Sequence, residues 1–171
     1  MKPFRFLASL ALAFAASLPM GVQAQSLTDY AENKIVDAVF RGQALGAPAT
    51  FYVGLDTVAC NDANGGTEVS TSGTGYARAA VTSSLANWAG TQSAGSTTAS
   101  SGTSGQTSNN ATITIGSATT TSWGQVVSFR LWDASTAGNA WICQNLTQSK
   151  TVNAGDALPS FQAGSLTVTF Q

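Results

Sequence analysis

From Pro48 onward the apolar side chains recur at every second position, and that period fixes the class of fold open to this chain. Phe51, Val53 and Leu55 alternate with Tyr52 and Gly54, and Ala77, Ala79 and Val81 alternate with Arg78 and Thr82. Ala111, Ile113 and Ile115 alternate with Thr112 and Thr114. Val127, Phe129 and Leu131 alternate with Ser128, Arg130 and Trp132, and residues 140–146 and 166–170 complete the set. Successive side chains of an extended chain point to opposite faces, so alternation buries one face and wets the other. Each segment is short, β-branched or aromatic, and bounded by Gly, Asn, Asp or Pro. Six such strands in succession predict two packed antiparallel sheets. The expectation is a mostly β fold over residues 47–171, an antiparallel β-sandwich of jelly-roll or Ig-like strand order.

Ahead of the strands the period is helical. Leu27, Ala31, Ile35, Ala38 and Val39 fall on one face together with Tyr30. Ser26 stands three residues before Asp29 as an approximate capping box. Asp37 and Arg41 form an i,i+4 pair, and Gly42 is a natural stop. The spacing predicts one α-helix from Ser26 to Arg41, inside an N-terminal segment and linker over residues 25–46. The apolar stripe must be covered by the chain's own sandwich or by a neighbour, which makes Leu27, Tyr30, Ile35 and Val39 candidates for assembly. Leu166, Val168 and Phe170 are further candidates. Their strand alternates cleanly, and an edge strand offers unpaired N–H and C=O groups to a second chain.

Residues 1–24 have the pattern of a secretory signal peptide. Lys2 and Arg5 form a basic start, Phe6 to Met20 is mostly apolar, and Val22-Gln23-Ala24 supplies small residues at −3 and −1. The apolar run is short for a transmembrane helix. Cleavage after Ala24 leaves Gln25 as first residue, in a single domain of ordinary size exported to the periplasm, the cell surface or the medium. Cys60 and Cys143 are the 2 cysteines. An even pair in an exported protein predicts a disulfide, worth roughly 4 kcal/mol by loop closure; the alternative is two buried thiols that never meet.

The chemistry open to this chain is narrow. It has 0 histidines, which excludes a Ser-His-Asp triad and a His metal site and leaves no imidazole to activate a catalytic thiol. Charged residues make up 9% of the chain, against about 25% in ordinary domains, and no basic stripe attracts nucleic acid. Asp56 and Asp133, at strand ends, are the only carboxyl pair to weigh for glycoside hydrolysis, and turn and cap duties account for both. Residues 61–68 have a faint calcium-loop pattern without the full ligand spacing, and Asn64-Gly65 reads as a turn. Asn110-Ala111-Thr112 and Asn145-Leu146-Thr147 match a glycosylation pattern that arises by chance in a Thr-rich chain. No catalytic residue, metal site or cofactor is expected. Trp88, Trp132 and Trp141 are candidates for surface contact, including stacking on a cell-surface glycan. Residues 89–110 are almost all Ser, Thr, Gly, Ala, Gln and Asn, and they predict a long mobile loop.

Several ordered segments carry a family resemblance. They are the stretches Leu27–Gly42, Pro48–Leu55, Gly66–Ser70 and Gly75–Val81, then Trp123-Gly124, Leu131-Trp-Asp-Ala134 and Lys150–Asp156. In this order they resemble a family of small bacteriophage tail-fibre or virion structural proteins. The resemblance implies a helix followed by a β-sandwich, no enzymatic activity and no cofactor. An export signal and a cysteine pair depart from that pattern, as does the long polar insertion. The leading expectation is a non-catalytic structural or adhesive subunit, assembling with copies of itself or with other subunits. The alternatives are a secreted pilus-like filament subunit and a secreted carbohydrate-binding module, with a small hydrolase last.

Overall fold

The computed structural model describes residues 27–61 and 66–170. The expected signal peptide, residues 1–24, lies outside the described residues, as do residues 62–65 of the calcium-like loop.

Helix α1 runs over Asp29–Phe40. Its N-cap is Thr28, whose hydroxyl accepts from the Ala31 amide at 3.4 Å; the capping role expected of Ser26 belongs to Thr28. The same hydroxyl donates to the Ala140 carbonyl at 2.5 Å, and the Thr28 amide donates to the Trp141 carbonyl at 3.1 Å. One residue therefore starts the helix and fixes it to the sheet. Gly42 ends it with φ +70°, and the amides of Arg41 and Gln43 both return to the Asp37 carbonyl.

Strand β1 (Thr50–Asp56) pairs with β2 (Ala79–Thr82) on one side and β5 (Gly124–Trp132) on the other, and β5 pairs with β6 (Ala140–Val152). All pairings are antiparallel, in the order β2-β1-β5-β6. Two short ribbons face this sheet: β3 (Gln106–Ser108) with β8 (Thr167–Thr169), and β4 (Ile113–Thr114) with β7 (Ser160–Phe161). Phe129 of β5 meets Phe161 of β7 edge to face at 5.5 Å, closing a sandwich-like arrangement over one core. The second layer is thus a pair of ribbons rather than a full sheet.

The expected alternation holds on the inner face, where Val53 and Leu55 lie opposite Leu131 and Phe129, all buried. The outer face was expected to be wet, and on β5 it is not. Ser128 and Arg130 are also buried, because Val58 and the segment from Gly66 to Arg78 lie over the sheet. Leu166 and Val168 are corrected likewise. They are core residues of the monomer, since Gln106–Ser108, inside the polar stretch expected to be loop, pairs with β8. The rest of that stretch is tied by its own side chains; the Gln92 amide donates to Ser96 Oγ at 2.7 Å and Thr98 Oγ1 at 2.6 Å.

Cys60 and Cys143 are disulfide-bonded, with Cα atoms 5.7 Å apart. The bond joins the segment after β1 to β6 on the outer face. Asn145 supports it by accepting from the Cys60 amide at 2.8 Å.

Candidate assembly site

Two places in the fold gather side chains beyond what packing alone requires. One is a buried ionic cluster on the outer face, and the other is an apolar groove beside α1.

The cluster is built on Gly54. A Cβ there would lie 2.9 Å from Glu68 Oε1 and 3.0 Å from both Trp132 Nε1 and the Tyr76 hydroxyl, so only hydrogen leaves room. Arg78 donates to Glu68 from Nε and from a terminal nitrogen, each at 2.7 Å. Its other terminal nitrogen reaches the carbonyls of Ala134 and Ala137. Arg130 holds Asp56 through two donors in the same forked way. Both guanidinium carbons lie over the Trp132 ring, at 3.7 Å for Arg78 and 4.2 Å for Arg130. The Tyr76 hydroxyl donates to Glu68 at 2.8 Å and accepts from the Leu55 amide at 2.9 Å. Burial pushes the Asp56 carboxyl above its ordinary value despite Arg130. At Glu68 burial pushes the same way, but the bonds from Arg78 and Tyr76 outweigh it and hold the carboxyl low. Burial and the Glu68 charge raise the Tyr76 hydroxyl. Every charge here is spent on a protein partner, and the arrangement ties Glu68, Tyr76 and Arg78 to the sheet.

The groove, of about 730 Å³, lies between α1, the linker, the loop before β3 and the end of β8. Leu27, Ile35, Leu45, Leu85, Trp88 and Phe170 are among its walls. Trp141 forms its floor because of a β-bulge. The register shifts between Leu131 and Trp132, so that Leu131 faces Ile142 while Trp132 faces Ala140. Trp141 is the extra residue, and its ring turns inward onto Tyr30 at 5.7 Å and Phe51 at 6.3 Å.

The sequence-derived candidates divide accordingly. Trp141 is only 6% exposed, and the expectation of a surface contact there is corrected by the bulge. Trp88 is half-buried against Phe51, and Trp132 is half-buried under the two arginines. Leu27, Tyr30 and Ile35 are half-buried. Val39 and Phe170 stand exposed. Asp133 accepts from the Asn139 backbone and side chain in a turn, whereas Asp56 is an ion-pair member rather than a cap. Both sequon asparagines are engaged: Asn110 donates to the carbonyls of Leu85 and Ser96, and Asn145 accepts from Cys60. Sequence reasoning missed Phe40, Val36, Leu45 and Leu85. Among the exposed large apolar side chains, Leu45, Leu85 and Phe170 line the groove, whereas Val36, Val39 and Phe40 stand on α1 outside its lining and Val58 lies over Ser128.

Exposed apolar surface of this extent is characteristic of interaction sites. A family model, that of the podophage GP4 fiber I protein gp80, matches residues 26–169. The chain belongs to this family. It is a phage fibre structural protein, a virion component that assembles with other virion subunits. No curated protein matches the chain. The matched span takes in α1, both ribbons, the sheet and all of the groove lining but Phe170.

Proposed function

We propose that the chain is a non-catalytic structural subunit of the fibre, working by self-association and by contact with neighbouring subunits. The observation that carries this reading is the exposure of large apolar side chains on α1 and at the groove walls, in a chain of the fibre family. The absence of histidine and the commitment of Asp56 and Glu68 to arginine partners support a role without catalysis. Export before assembly is part of the proposal. It rests on the N-terminal pattern and on the disulfide, a bond favoured outside the reducing cytoplasm. Trp88, Trp132 and Trp141 take protein neighbours, which turns the reading away from glycan stacking. Light scattering of the native protein across a hundred-fold concentration range tests the proposal. Oligomers or fibrils are expected, and a strict monomer at every concentration contradicts it.

A further inference from the structure

Helix α1 carries two apolar surfaces side by side. Ala31 and Ile35 face the sheet and the groove. One strip further around the helix stand Val36, Val39 and Phe40, exposed by 46%, 66% and 80%. These three form a ridge toward the end of the helix, and among the described residues nothing covers them. The groove is the converse surface, concave and walled by Leu45, Leu85 and Phe170, which are themselves exposed.

We propose that the ridge of one copy, Val36, Val39 and Phe40, seats in the groove of the next. The inference rests on the fibre-subunit reading and names the surface that this reading leaves open. Three observations choose a second copy as occupant. The chain is a fibre-family subunit, which works among other subunits. A single copy displays both halves of the contact, and none of the three ridge residues lines its own groove. The groove walls carry no charged side chain, which suits an apolar occupant, and Phe40 and Val39 of the ridge are the most exposed of the large apolar side chains among the described residues. Two different patches meeting make a heterologous contact. Such a contact repeats from copy to copy until it closes a ring or runs on as a filament. A self-complementary contact would stop at two.

The heterologous character gives a test that does not depend on one variant. Phe40→Asp spoils the ridge and leaves the groove intact, and Leu85→Asp spoils the groove and leaves the ridge intact. Both positions are exposed, so circular dichroism and thermal melting should match the parent. Sedimentation velocity on the full chain should show the parent as an oligomer and each variant alone as a monomer. An equimolar mixture should give a heterodimer and nothing larger, because the two variants together retain one working contact. Parent-like association by both variants overturns the inference and places the contact elsewhere, while the fibre reading stands. Self-association unchanged but incorporation into virions lost gives the groove to a different virion protein, which also overturns it. A monomeric parent is the separate result that removes the self-association reading itself.

Discussion

Trp132 carries two arginines on its ring, each arginine grips a carboxylate, and the whole stack rests on the bare Cα of Gly54. Gly54→Ala should therefore push Glu68, Tyr76 and Trp132 apart together. Overpacking of this kind costs about 1–3 kcal/mol, read as a lower urea midpoint at unchanged slope. The buried pair makes a sharper case. Arg130→Met leaves the Asp56 charge without a partner in a dry site, at a cost of about 3–5 kcal/mol. Adding Asp56→Leu should restore much of that loss, since the lone charge goes with it. The two carboxylates also predict opposite pH behaviour. Glu68 is held low in the folded chain, so its stabilisation is present above the ordinary glutamate value of 4.5 and fades as pH falls through the folded value. Asp56 is raised, so its contribution weakens as pH climbs from the ordinary 3.8 through the raised value. Glu68→Gln should flatten the acid limb of a stability–pH curve, whereas Asp56→Asn should leave that limb in place.

Among the elements, α1 and β6 depend on each other through Thr28. Thr28→Ala removes the helix cap and the bond to Ala140 at once. The cap alone is worth about 1 kcal/mol, and amide exchange should speed up in both α1 and the start of β6. An unchanged β6 would show that the helix is capped by Thr28 but not fixed by it. The element scale also shows what a linear sequence can reveal. Strands β1, β2, β5 and β6 are legible because Phe51, Val53 and Leu55 and their counterparts alternate over several residues. Ribbon strands β3 and β7 are not, since Gln106-Thr107-Ser108 and Ser160-Phe161 are too short and too polar to show a period. Their strand character comes from β8 and β4, which they pair with across the chain. Trp141 shows a different limit. Counting positions puts it on the face of Cys143, and only the bulge turns it into the core. The ionic cluster is opaque for a third reason. Arg130 signals itself as a charge inside Val126–Trp132, but its partner Asp56 lies 74 residues away. The groove has no local signature, because its walls run from Leu27 to Phe170.

For the whole molecule, covalent and non-covalent closure work on different faces. The disulfide spans 83 residues and clamps the outer face, where the ionic cluster also lies. Replacing both cysteines by serine should cost roughly 4 kcal/mol by loop closure while leaving association intact, because the groove is on the other side of the sheet. Thiol labelling of the unfolded, unreduced native protein should give no signal. Two reactive thiols per chain would remove the bridge and part of the case for export. A fibre subunit with an exposed apolar ridge and groove has a defined place in the virion. Immunogold electron microscopy of purified virions with an antibody to the native chain tests it most directly. Gold confined to the fibres is the predicted result. Unlabelled virions, with the chain recovered only as a free monomer, would contradict it.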